Sequence, residues 1–145
     1  MTEIFDNHDF SGSPCGTGWT QSGDGNGGDG ASSVSCYTSG SDYWIRLQAT
    51  GSSGSGNYSN IQICQTVDLT CVSTISFKYS ISKSGSTSFR YYVGTLGWTS
   101  WSGSGSGTQN VDVSSLTGNH QICFRVQGTG ATGDYGINGD LEYVT

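Results

Sequence analysis

Ile61-Gln62-Ile63-Cys64-Gln65-Thr66-Val67-Asp68-Leu69, followed by Thr74-Ile75-Ser76-Phe77-Lys78-Tyr79-Ser80-Ile81, decides the fold class. Ile61, Ile63, Val67 and Leu69 share one phase of a two-residue period, against Gln62, Cys64, Thr66 and Asp68. Ile75, Phe77, Tyr79 and Ile81 do the same against Ser76, Lys78 and Ser80. Successive side chains of a strand point to opposite faces, so this period marks strands with one buried face. An amphipathic helix would repeat its apolar residues every three or four positions, and no stretch of this chain does so convincingly.

Further runs carry the same period. Tyr43, Ile45 and Leu47 alternate with Trp44, Arg46 and Gln48. Phe89, Tyr91 and Val93 follow, then Val111 and Val113, then Ile122, Phe124 and Val126, and finally Ile137, Leu141 and Tyr143. The runs are short, with Gly-, Ser- and Asn-rich turns between them, which is the habit of an all-β fold. About eight or nine half-buried strands predict an antiparallel two-sheet β-sandwich of the jelly-roll type. Ser22–Gly30, Thr50–Tyr58 and Ser102–Thr108 read as long exposed loops.

The chain has 145 residues, which fits a single β-sandwich domain over 1–145. It holds 24 glycines and only 11% charged residues, yet 12% aromatics, and so many rings require a core or a binding surface. The formal charge is −6, and Arg46, Lys78, Lys83, Arg90 and Arg125 are scattered. With no basic stripe, nucleic acid is not the expected partner. Apolar runs of four or five residues are too short to span a membrane. No secretory signal is visible, and Phe5 and Phe10 already read as residues of the folded part.

Cys15, Cys36, Cys64, Cys71 and Cys123 point to an oxidising compartment, hence to a secreted or cell-surface location. None forms a C-x-x-C pair, which disfavours zinc. Five is odd, so at least one thiol is free or pairs with another molecule. Cys15 and Cys36 flank the glycine loop and form the better candidate for an internal bridge. Cys64 and Cys123 lie opposite the core residues of their strands. They bond if those strands are neighbours and stay apart if the strands belong to different sheets.

The stretch Ile61–Tyr79, with Gln121-Ile122-Cys123-Phe124-Arg125 and Asp134-Tyr135-Gly136-Ile137-Asn138-Gly139-Asp140-Leu141, resembles jelly-roll carbohydrate-binding modules and their galactose-binding-like relatives. The shared features are a Q-T-V-D-L strand leading into an S-F-x-Y strand, an opening over Phe10–Trp19 (Phe10-Ser11-Gly12 … Gly18-Trp19) that looks like an F-x-x-G…G-W entry with one residue fewer before the glycine, and an aspartate-bearing last strand. Two positions depart from that pattern: Cys71 replaces a small turn residue, and Asn138 stands where an aspartate is common. The resemblance implies a structural Ca²⁺ near the chain ends, and Asp9 and Asp140 are the matching positions. Asp24–Asp29 also offers closely spaced oxygens, although it lacks the closing glutamate of an EF-hand and reads more simply as a solvated turn.

The aromatics outside the core phase are the candidate ligand-binding residues. Trp98 and Trp101 lie in Gly97-Trp98-Thr99-Ser100-Trp101-Ser102, a polar stretch without core alternation, and Trp44 and Tyr92 point away from the core faces of their runs. Flat rings stack on the C–H faces of sugars, and Arg90, Gln109 and Asp112 are placed to hydrogen-bond hydroxyls. The competing reading has the tryptophans capping the edge of the sandwich.

Catalysis is not expected. His8 and His120 stand among polar residues, Glu3 and Glu142 lie near the ends, and no acid–base pair for glycoside hydrolysis or G-x-S-x-G elbow occurs. The glycine-rich stretches lack the Lys and the following helix of a phosphate loop. Asn57-Tyr58-Ser59 is a formal glycosylation sequon. Two functional classes follow. One is a non-catalytic extracellular module that binds a polysaccharide or cell-surface glycan. The other is a homo-oligomeric structural subunit of a surface filament, appendage or viral fibre, cross-linked by disulfides and completed at its sheet edges by neighbouring copies.

Overall fold

The alternating runs assemble into two five-stranded antiparallel sheets in the computed structural model, which describes residues 3–23, 25–101 and 104–145, with Trp101 described by its backbone alone. In chain order the strands are β1 (Thr20–Ser22), β2 (Ala31–Ser39), β3 (Asp42–Gly51), β4 (Tyr58–Asp68), β5 (Thr74–Ser84), β6 (Ser86–Val93), β7 (Trp98–Trp101), β8 (Gly105–Asp112), β9 (Asn119–Thr129) and β10 (Tyr135–Val144). Sheet A runs β1-β4-β9-β6-β7 across its width, and sheet B runs β2-β3-β10-β5-β8. Between β6 and β7 lies a single 3-10 turn, Gly94–Leu96. Among the described residues no helix is long and apolar enough to cross a membrane.

The two inner faces meet through the residues that set the period. Ile45, Leu47, Phe77, Ile81, Ile137 and Leu141 of sheet B are buried against Ile63, Phe89, Ile122, Phe124 and Val126 of sheet A. Phe77 bridges the layers, with its ring edge-on to Phe124 at 5.0 Å and to Tyr91 at 5.2 Å. Edge-to-face contacts of this kind add to the stabilisation from area burial alone. Gly139 of β10 sits in this layer where a Cβ would lie 2.7 Å from both Phe89 and Val126, so glycine is needed for the sheets to approach.

The segment before β1 closes one end of the sandwich. Phe5, Phe10 and Trp19 are buried; Trp19 stacks on Phe5 at 5.7 Å and reaches Phe124 at 6.0 Å. Gln65 is a polar residue in the buried phase of β4, and its partners explain how it is tolerated. Its carbonyl oxygen accepts from the Asp6 amide at 2.7 Å, and its amide nitrogen donates to the carbonyls of Asp6 and Gly18 at 3.0 and 3.1 Å. A buried amide satisfied on both sides anchors the segment instead of destabilising the core.

The structure departs from the sequence pattern at three places. Ser102–Thr108 is not one loop, because β8 begins at Gly105 and pairs with β5 through Ile81. Ala31–Ser39 carries no apolar alternation yet forms β2, held by nine register pairs with β3. Its Ser, Thr and Val residues suit an exposed edge strand, where packing asks for little. Tyr43 shares the phase of Ile45 and Leu47 but is 47% exposed, because it lies at the start of β3 beyond the margin of the core.

The expected bridge between Cys15 and Cys36 is present, with a Cα–Cα distance of 6.1 Å. Cys64 and Cys123 also bond: β4 and β9 are neighbours, and the two residues are direct register partners 4.1 Å apart at Cα. Cys71 is the free, exposed thiol among the described residues, on a turn with φ 63°.

Candidate functional site

The outer face of sheet A follows from its register. Trp98, Tyr92, Cys123, Cys64 and Thr20 form one row across β7, β6, β9, β4 and β1. Ser100, Arg90, Arg125, Gln62 and Ser22 form the next, and Ser88, Gln127 and Asn60 a third. The face therefore passes from an aromatic end, floored by the Cys64–Cys123 disulfide, through two arginines to a band of amides and hydroxyls. At its far end a groove of about 550 Å³ is lined by Tyr58, Asn60, Ser86, Ser88, Gln127 and Thr129.

Trp98 is 41% exposed, and its ring lies 5.3 Å from that of Tyr92, tilted by 52°. The Arg125 guanidinium sits 5.6 Å from the Trp98 ring centre and donates to Asn60 Oδ1 at 3.4 Å. A cation over an indole face holds the ring in place. Arg90 is the direct cross-strand neighbour of Arg125, and its buried Nε has no hydrogen-bond partner among the described residues. Like charges placed opposite one another in a sheet cost stability.

Trp98, Tyr92 and Arg90, three of the expected ligand-binding residues, are thus brought together. Trp44 is not with them. It lies on the outer face of sheet B, as the register partner of Tyr37. For Trp101, the described backbone pairs with Phe89, and the side chain lies outside the described residues. Gln109 and Asp112 belong to β8 of sheet B and so do not flank Trp98; Asp112 Oδ1 accepts from the amide and hydroxyl of Ser114. Arg125, Asn60 and Gln62 were absent from the sequence-derived set, although alternation from Cys64 and Cys123 places all three on the outer face.

The outer face of sheet B is organised around Asp140, only 4% exposed although it points away from the core. Arg46 grips it with a fork, Nε to Oδ1 at 2.9 Å and Nη2 to Oδ2 at 2.8 Å, and the Tyr37 hydroxyl donates to Oδ2 at 2.7 Å. The Arg46 guanidinium also lies 4.8 Å from the Tyr37 ring centre, and the Tyr37 and Trp44 rings are near-parallel, 6.1 Å apart. Lys78 pairs with Glu142 and lies 5.6 Å from the Trp44 ring centre. Burial first, then the hydrogen bond to Asp140, push the Tyr37 phenol up to about 12.

These contacts bear on the expected Ca²⁺. Both Asp140 oxygens are taken by Arg46 and Tyr37, and Asp9 Oδ1 accepts from the amide and hydroxyl of Ser11, which holds its carboxyl below the usual range. Among the described residues no three His, Cys, Asp or Glu side chains gather as metal ligands. Such a donor set does not fit an ion that takes about six to eight oxygens. In the glycine loop, Asp24 lies outside the described residues and Asp29 bonds Ser52.

No family model matches the chain, and no curated protein does. Solved structures do. The carbohydrate-binding module TmCBM61, in complex with β-1,4-galactotriose, superposes with a TM-score of 0.54 at 17% identity, over 100% of this chain and 99% of that one. A family 11 carbohydrate-binding module from Clostridium thermocellum, in complex with a β-1,3-1,4-mixed-linked tetrasaccharide, gives 0.50 at 15% identity over 95% and 93%. A family 11 module of the cellulosomal cellulase Lic26A-Cel5E from the same organism gives 0.50 at 13% identity over 97% and 94%. The chain therefore has the jelly-roll β-sandwich fold of these carbohydrate-binding modules.

Proposed function

We propose that this chain is a non-catalytic extracellular module that binds a polysaccharide across the outer face of sheet A, with Trp98 and Tyr92 stacking on sugar rings and Arg90 and Arg125 hydrogen-bonding hydroxyls. The observation that carries this reading is the half-exposed Trp98–Tyr92 pair beside two arginines, on an open face that continues into an amide-lined groove. A flat apolar surface with a few converging polar groups is what an amphipathic sugar chain needs. The structural neighbours solved with oligosaccharides support the assignment, and the two disulfides fit an oxidising compartment. Glu142, one of the two glutamates considered for acid chemistry, is paired with Lys78.

Affinity electrophoresis against a polysaccharide panel tests this. Trp98→Ala should weaken retention at least about tenfold while leaving the thermal transition in place. Retention equal to that of the unsubstituted protein across the panel would remove Trp98 from the site.

A second reading, self-assembly, rests on β2: nine residues at the edge of sheet B with no charge and no proline to block pairing with another copy. The exposed Cys71 thiol could cross-link such an assembly. Negative-stain microscopy at high concentration under oxidising conditions would then show polymers, and monomers alone would reject it.

A further inference from the structure

We infer that the outer face of sheet B is a second, independent glycan-binding site, centred on Tyr37 and Trp44, which makes the module bivalent. Trp44 belonged with Trp98 on sequence grounds, and the fold instead puts the two tryptophans on sheets with opposite outer faces. Around Trp44 the side chains form a built array. Tyr37 and Trp44 offer near-parallel rings, and beside them opens a pocket of about 450 Å³ to which the half-exposed Tyr43 also contributes. The Trp44 indole Nε1 is buried with no hydrogen-bond partner among the described residues, a donor whose desolvation nothing yet offsets. Next in register come Arg46 with Asp140, then Gln48 with Asn138, whose amides are joined at 2.8 Å.

Two features define the ligand class. Both cations on this face are matched by an acid, Arg46 by Asp140 and Lys78 by Glu142, and Asp42 lies in the same outward phase of β3, so the face carries no surplus positive charge to recruit an anion. Asp140 is too buried to meet a ligand and spends both oxygens on Arg46 and Tyr37; it holds their donors in place. Fixed donors and acceptors with no unpaired cation, beside a pair of flat rings, fit a neutral, hydroxyl-rich chain. Arg46 is a ligand contact and Asp140 a positioning residue. The second site stands whether or not sheet A binds; only the bivalency rests on the function proposed above. With both occupied, one module would bridge two polysaccharide chains and gain avidity on a dense surface.

The test uses soluble β-1,4-galactan, mixed-linked β-1,3-1,4-glucan and a panel of further neutral polysaccharides. Trp98→Ala should still be retained by at least one of them, and adding Trp44→Ala should weaken that residual retention tenfold or more. Tyr43→Ala, at a half-exposed position in the pocket lining, should weaken it in the same direction if Trp44→Ala proves unstable. Light scattering should show the unsubstituted protein enlarging the soluble polymer, with either single tryptophan variant failing to do so. If Trp98→Ala is retained by nothing in the panel, or if its retention is indifferent to both Trp44→Ala and Tyr43→Ala, the second site does not exist. Binding lost through Trp98→Ala alone would still leave the sheet A assignment intact.

Discussion

Arg46 and Asp140 face each other across β3 and β10 as a two-point ion pair in which the carboxylate is almost wholly buried and the guanidinium is 36% exposed. That asymmetry makes the two halves of the pair unequal. Replacing Asp140 with Asn leaves a guanidinium that water can reach, and should cost about 1 kcal/mol. Replacing Arg46 with Met strands a buried carboxylate and should cost about 3 kcal/mol. Urea denaturation of the two variants checks the order; equal losses would mean that the carboxylate is better hydrated than its position suggests.

The same network gives a pH dependence. The Tyr37 phenol is raised from 10.0 to about 12, by burial and then by its bond to Asp140, so the folded state holds that proton more tightly than the unfolded chain. The stability it contributes is fully present below about pH 10 and is lost as pH rises from there toward about 12. Tyr37→Phe should flatten the stability curve over that window relative to the unsubstituted protein. Unfolding midpoints measured between pH 9 and 12 would show a parallel decline if another group were responsible.

The disulfides should differ in worth. Cys64–Cys123 closes 59 residues and Cys15–Cys36 closes 21. On chain-entropy grounds these correspond to about 4 and about 3 kcal/mol. Replacing each pair by alanines should lower the thermal midpoint in both cases, and more for Cys64–Cys123. Calorimetry of the two double variants decides the ranking.

Gly139→Ala should be poorly tolerated despite its small size. The added methyl would meet Phe89 and Val126 at 2.7 Å between two packed sheets, and overpacking of that kind costs about 1–3 kcal/mol. A variant as stable as the parent would show that the layers can separate there at little cost.

Alternation alone revealed the sandwich, because burying one face of a strand imposes a period of two that Phe77, Ile45 and Phe124 all obey. The period was silent on partnership. Strand phase told that Trp44 and Trp98 both point outward, but outward has two directions in a sandwich, and only the sheet order separates them. β2 escaped notice because an edge strand with little buried surface needs no apolar pattern, and Tyr37 was hidden with it. Arg125 was more accessible: once Cys64 is paired with Cys123, the antiparallel register places Gln62 opposite Arg125 on the same face. The Arg46–Asp140 fork joins residues 94 apart in sequence, and nothing local to either signals the other.

The Cys64–Cys123 bridge also has a mechanical consequence. When tension is applied through the two ends of this chain, the covalent link between β4 and β9 carries it past everything between them. The 59-residue separation, roughly 200 Å of extended chain, stays out of the load path. β5, β6, β7 and β8 lie inside the protected loop, so the β6–β7 pairing of Tyr92 with Trp98 and of Arg90 with Ser100 is shielded, whereas Arg125, beyond Cys123, stays in the load path. The disulfide that floors the aromatic end of sheet A therefore keeps β5 to β8 from being drawn out under load.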